Sequence, residues 1–147
     1  MEIIIDTREQ RPLEFDNRVS TVKEKLDVGD YGARFRDGHV PPYFFERKSI
    51  GDLFGTMGKG YTRFKKEMKR VRDNNLQLFI IIEGTEFKVL KGTKYSKMQP
   101  GAVMKKLFTL WIRYNIIPIF CNNRQHMSEY ITQFYMAVGR EYVRGQK

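Results

Sequence analysis

Cysteine is almost absent from this sequence: Cys121 stands alone among 147 residues. An intramolecular disulfide is therefore excluded, and the chain fits a reducing, intracellular compartment. Histidine is nearly as scarce. His39 and His126, with the single cysteine, are too few ligands for a structural zinc site. No apolar run approaches the roughly 18 residues that a transmembrane helix needs. The opening Met1-Glu2-Ile3-Ile4-Ile5-Asp6 has no basic region ahead of its apolar run, so it reads as a strand and not as a signal peptide. Repeats, low-complexity stretches and internal linkers are missing too. Acidic residues are in deficit: 17 of them face 27 lysines and arginines, a net charge of +10. Such an excess repels itself unless the partner is a polyanion. Nucleic acid leads that list. An anionic membrane surface comes second, since no segment reads as a basic amphipathic anchor.

What is present suits one globular domain over residues 1–147, with 41% hydrophobic and 14% aromatic residues to build its core. Ile3-Ile4-Ile5 reads as a buried strand, and Arg18 to Leu26 as a short helix. Ser49-Ile50-Gly51-Asp52 has the S-x-x-D form of a helix capping box. Gly55, Gly58 and Gly60 suggest a flexible loop. Tyr61, Phe64, Met68 and Val71 recur at helical spacing, with Lys65, Lys66, Lys69, Arg70 and Arg72 opposite. Leu78–Ile82 and Ile116–Phe120 read as buried strands. A helix over Pro100–Tyr114, with Val103, Leu107, Trp111 and Tyr114 at helical spacing, separates them. Asn122 or Asn123 is placed to cap a last helix with Met127, Tyr130, Ile131, Phe134 and Val138 on its apolar face. Fraying is expected beyond Val143. Alternating helices and strands predict an α/β fold, a central sheet that is parallel at least in the second half and flanked by helices.

Charged residues interrupt two short apolar segments. Val28 to Arg36 and Tyr43 to Lys48 read as strands around the turn dipeptide Asp37-Gly38. Pro41-Pro42 implies a loop longer than a tight turn. A hairpin centred on Gly38 sets Asp30 opposite Glu46. The period of two puts Glu46 and Lys48 on one face and Arg47 on the other. Two acids and a lysine converging on one point of a sheet have the geometry of a divalent-metal site beside a group that orients water. The bland alternative is a structural salt-bridge cluster. The whole constellation favours metal, with Asp30 and Glu46 as direct ligands, helped by the Arg47 carbonyl. Oxygen donors suit Mg²⁺ or Mn²⁺. Lys48 is then the group that can orient a water.

Gly29-Asp30, then Glu46-Arg47-Lys48 and Asp52, resembles the ERCC4-type nuclease signature G-D…E-R-K-x-x-x-D. That signature marks the catalytic domain of the XPF and Hef flap endonucleases, within the PD-(D/E)XK superfamily. Ile5-Asp6-Thr7-Arg8-Glu9 looks like the same family's D-x-R-E segment. Arg63-Phe64 and the strand ending at Gly84 also match. The resemblance implies a restriction-endonuclease-like mixed sheet flanked by helices. It implies a metal-dependent endonuclease acting on branched, flap or duplex DNA, leaving 5′-phosphate and 3′-hydroxyl ends. It places Asp6 and Glu9 at the rim of the site, as outer ligands or a second-metal position, although Asp6 equally suits a helix or turn cap. Asp52 would join the catalytic set as well as cap its helix. Arg8 and Arg63 fall at positions near the phosphate, and the face carrying Lys65 and Lys69 is a track for the DNA backbone or simply a solvated face. A homodimer through the aromatic last helix, Tyr130 to Tyr142, is the expected assembly. The helix-hairpin-helix pair usual in such enzymes is not expected, so the chain reads as a stand-alone nuclease domain. A non-catalytic nucleic-acid-binding scaffold of the same fold, and another activity such as junction resolution, remain as alternatives.

Two other features carry no chemistry. Gly58-Lys59 fails as a P-loop, because Leu53 stands where glycine is needed and Gly60 where Ser or Thr is needed, so no nucleotide cofactor is implied. Trp111 and the helical tyrosines read as core or interface, and Cys121 as a buried strand residue.

Overall fold

A computed structural model of the chain describes residues 1–92 and 97–146. Among the described residues six strands and five helices follow one another: β1 (Glu2–Ile5), β2 (Ser20–Lys23), β3 (Tyr31–Arg34), β4 (Tyr43–Ser49), α1 (Ile50–Met57), α2 (Tyr61–Asp73), β5 (Gln77–Glu83), α3 (Glu86–Lys91), α4 (Pro100–Tyr114), β6 (Ile117–Cys121) and α5 (Arg124–Gly145). The strands form one mixed sheet in the order β2-β1-β3-β4-β5-β6. β3 runs antiparallel to β1 and β4, whereas β4, β5 and β6 are parallel, as crossovers through helices require.

Both faces of the sheet are covered, and side-chain alternation sorts the core in two. Ile4, Phe44, Leu78, Ile80 and Ile82 face the layer containing Leu53, Phe54, Phe64, Met68, Val71 and Leu107 from α1, α2 and α4. Ile3, Ile5, Phe45, Phe79 and Ile81 face Met127, Ile131 and Tyr135 of α5. The apolar runs of β1 and β5 are continuous for this reason. In β4 the same alternation continues past Phe44 and Phe45. It sends Glu46 and Lys48 toward α2 and Arg47 toward the α5 side.

The expected hairpin register is observed. Tyr31 pairs with Phe45, which sets Asp30 opposite Glu46. The strand itself is shorter than Val28–Arg36, because Gly29 takes a φ of 72° and bends the chain before β3. Ser49 caps α1, its Oγ accepting the Asp52 N–H at 3.1 Å, and Asn123 Oδ1 caps α5 by accepting the His126 N–H.

Several expectations are corrected. The segment Arg18–Leu26 is not helical. Ser20–Lys23 adds to the open edge of β1 as a parallel strand, satisfying backbone groups that a helix would leave unpaired. Gly55 lies inside α1, so only Gly58 and Gly60 shape the turn before α2. Of the two readings of Trp111, core fails, since it is 43% exposed; Leu110 is the fully buried residue there, because Leu110 with Val103 and Leu107 faces the sheet. Helix α5 continues to Gly145. Helix α3, which begins where Thr85 Oγ1 accepts the Lys88 N–H, has no counterpart in the sequence reading.

Candidate active site

The loop before β3 and the end of β4 build the site. Asp30 is held on both sides by backbone bonds. Its N–H donates to the Phe45 carbonyl at 2.7 Å, and its carbonyl accepts the Asp6 N–H at 2.9 Å. The bend that delivers it needs glycine at position 29. A Cβ there would lie 2.9 Å from the Phe45 carbonyl oxygen, and the φ is in the left-handed region. The Asp30 carboxylate accepts the Arg47 N–H through Oδ2 at 2.8 Å. Glu46, opposite, lies beside Lys48, with Nζ 3.6 Å from Oε2. The Lys48 ammonium also sits over the Phe64 ring.

These two carboxyls resist ionisation in the bare protein. Burial raises the pKa of Asp30, and the Arg47 N–H only partly offsets it. Burial, then the neighbouring Asp30 charge, pushes Glu46 up to about 7. Lys48 pulls the other way without cancelling them. The pair is thus short of positive charge.

The other acids of the site are already committed. Asp6 is 2% exposed and ties the loops together. Oδ1 accepts the Leu26 N–H at 2.7 Å, while Oδ2 accepts the Arg8 N–H and Nε. Burial opposes its charge, yet these bonds win and lower its pKa. Of its two expected roles the turn cap is the one observed. Asp6 also lines the cavity into which Asp30 and Glu46 open, and no cluster of three or more metal-binding side chains exists among the described residues. Glu9 forms a two-pronged pair with Arg47 on the far face of β4, at 2.8 and 2.7 Å. With side chains 16% and 6% exposed, this pair braces the site from behind. The Arg47 guanidinium therefore lies on the face of β4 opposite Glu46 and Lys48, and the group it presents to Asp30 is its backbone N–H. Asp52 is exposed on the first turn of α1 and does not line the cavity described next.

Asp30 and Glu46 open into a cavity of about 480 Å³, which Asp6, Arg8, Asp27, Glu67 and Arg70 also line. Arg63, on the same helix as Glu67 and Arg70, has a side chain 90% exposed and lies 4.0 Å from Glu67. Lys65 sits over the Tyr61 ring, and neither it nor Lys69 lines the cavity.

A family model of the ERCC4 domain matches residues 5–134. The chain belongs to the ERCC4 domain family. Its fold is that of XPF from Aeropyrum pernix: TM-score 0.73 at 18% identity, over 99% of this chain and 70% of that one. XPF from Aeropyrum pernix in complex with DNA matches with TM-score 0.71, again at 18% identity, over 95% of this chain and 66% of that one. No curated protein matches the sequence.

The donor set of this ERCC4 domain fits a hard divalent cation. Asp30 and Glu46 offer only oxygens, and Mg²⁺ commonly takes one or two carboxylates and completes its shell with water and phosphate. A cation there would offset the burial that raises both pKa values and, at Glu46, the Asp30 charge that adds to it. The sequence reading missed Glu67 and Arg70 as parts of this cavity. Their signal was helical phase: Glu67 precedes the buried Met68, and Arg70 precedes the buried Val71.

Proposed function

We propose that this ERCC4 domain is a Mg²⁺- or Mn²⁺-dependent DNA endonuclease that hydrolyses phosphodiester bonds. The observation that carries the reading is the juxtaposition of Asp30 and Glu46 across a fixed hairpin register, with the Lys48 ammonium alongside. Membership of the ERCC4 family and the likeness to a fold that has been seen with DNA support it. So does the net charge of +10.

Asp30 and Glu46 would hold the cation, which supplies Lewis acidity to the scissile phosphate and acidifies a bound water. Lys48 places an ammonium beside them, to orient the attacking water or to balance charge growing on the phosphoryl oxygens. Arg47 fixes the Asp30 carboxylate through its N–H, and the Glu9–Arg47 pair keeps β4 in place. Arg8 borders the cavity, where a guanidinium suits a phosphodiester. Branched, flap and duplex DNA are the proposed substrates, and a homodimer using exposed Tyr130, Met136 and Val143 of α5 is the proposed assembly. No helix among the described residues is long and apolar enough to cross a membrane.

The test is a panel of flap, fork, junction and plain duplex DNA incubated with Mg²⁺, Mn²⁺ or EDTA. Cleavage should require metal. Glu46→Gln and Lys48→Ala should each slow it by at least about a hundredfold. Cutting that survives EDTA, or that both variants perform at the wild-type rate, would overturn the reading.

A further inference from the structure

Two arginines from distant parts of the chain flank the carboxylates, and consecutive backbone carbonyls aim both of them. Arg8 donates from Nη2 to the Leu26 carbonyl at 2.9 Å. Arg70, on α2, donates from Nη2 to the Asp27 carbonyl at 3.1 Å. Both line the cavity into which Asp30 and Glu46 open. Each is anchored at one end yet remains exposed: the Arg8 side chain is 67% exposed, and Arg70 is also classed with the surface. A guanidinium has five N–H donors. Arg8 spends one on Asp6 Oδ2 and one on Leu26; the bond to Asp27 uses one of Arg70's. Donors remain on both for an anion at the cavity mouth. Asp30 and Glu46 also act electrostatically on Arg8, which places it within their field.

The rest of α2 is differently placed. Arg70 shares its side of the helix with Glu67, three residues earlier. Lys65 and Lys69 stand two residues from Glu67 and project roughly 160° away from it. A basic helix that reads as an even stripe of charge thus presents one arginine, not its lysines, to the site.

We propose that Arg8 and Arg70 form a clamp that seats one backbone phosphate of DNA over the Asp30–Glu46 pair. Arg70 is then a specific phosphate-binding residue, and the Leu26–Asp27 peptide is the fixed post that spaces the two guanidiniums. The proposal rests on the nuclease reading above and deepens it. Arg34 and Arg47 are spent on carboxylates, and Arg18 on Asp16 and Glu129, so none of these three offers a comparable open fork.

The test uses DNA binding in EDTA, where no cutting is needed for a signal. Arg70→Ala should weaken binding roughly tenfold and flatten the dependence of log K on log salt by about one contact. Lys105→Ala, an equal change of charge at an exposed position of α4 that does not line the cavity, serves as the control. DNA carrying one neutral methylphosphonate at successive positions then locates the clamp. One position near the cut should cost the wild type more than losing Arg70 alone, because Arg8 holds the same phosphate, and should cost Arg70→Ala less than it costs the wild type, because the two removals share one contact. Arg70→Lys keeps the charge and loses the fork. It should retain the salt slope but cut more slowly, and it decides the question if Arg70→Ala melts abnormally. If the wild type binds and cuts while the Arg70 variants behave as Lys105→Ala does, the clamp is overturned alone. If the wild type neither binds nor cuts DNA, the nuclease reading falls and takes the clamp with it.

Discussion

Glu46→Gln should make the metal-free protein more stable at alkaline pH. In the fold, burial and the Asp30 charge raise the Glu46 pKa from 4.5 to about 7. A carboxyl with a raised folded-state pKa binds more protons in the native state than in the unfolded chain. Its contribution is therefore intact below the unfolded value and is lost as pH climbs through the folded one. Glutamine imitates the protonated form and does not titrate. Relative to that neutral isostere, linkage gives the wild type a deficit of about 0.8 kcal/mol at pH 5 and about 3.3 kcal/mol at pH 8. The gap thus opens by about 2.5 kcal/mol across the window. With an unfolding entropy of about 2.1 cal/mol/K per residue, this corresponds to roughly 8 °C in Tm for a chain of this length. Thermal melts of both proteins in EDTA at pH 5 and pH 8 read it directly. The reasoning fails if the wild type and Glu46→Gln keep a constant difference between the two pH values, or if the variant is the weaker at pH 8.

Two further outcomes follow from the scaffold around the pair. Gly29→Ala forces a side chain into the left-handed region and toward the Phe45 carbonyl, so it should cost about 1–2 kcal/mol or more and displace Asp30. Urea unfolding measures that cost, and a neutral result would remove the argument for glycine in the bend. Arg47→Met leaves the Glu9 carboxylate buried without its cation, at a cost of about 3–5 kcal/mol. Adding Glu9→Gln should restore a large part of it, and a single variant within about 1 kcal/mol of wild type would mean that the pair does not brace β4.

Much of this arrangement is legible in the sequence, for identifiable reasons. The hairpin register follows from a period of two carried across Asp37-Gly38, and it held because Phe44 and Phe45 must each face their own core layer. Helix α4 was readable end to end, since Pro100 opens it and the left-handed Asn115 closes it. Strand β2 was not readable: an edge strand with one half-buried residue, Val22, has no apolar alternation to detect. Helix α3 is too short, at six residues, for periodicity to show. At the site, residue types revealed the carboxylates and Lys48, but not how Asp6 would be spent. That depends on the Leu26 N–H, twenty residues away along the chain. Arg70 escaped notice for a related reason. Helical phase sets its side of α2, but its partner is the Asp27 backbone carbonyl, and no residue type marks that contact.

The measurement that tests the central claim most directly is Mn²⁺ binding to the wild type and to Asp30→Asn, followed by calorimetry and by thermal melts without any DNA. If Asp30 and Glu46 hold the cation, Mn²⁺ stabilises the wild type by about 2.7 kcal/mol at a hundredfold excess over Kd. Asp30→Asn then melts at or above the wild type without metal, because one of two repelling carboxylates is gone, and it loses most of the Mn²⁺ shift. A variant that melts clearly lower than the wild type, with neither protein responding to Mn²⁺, would contradict the account and leave Asp30, Glu46 and Lys48 as a structural ion cluster.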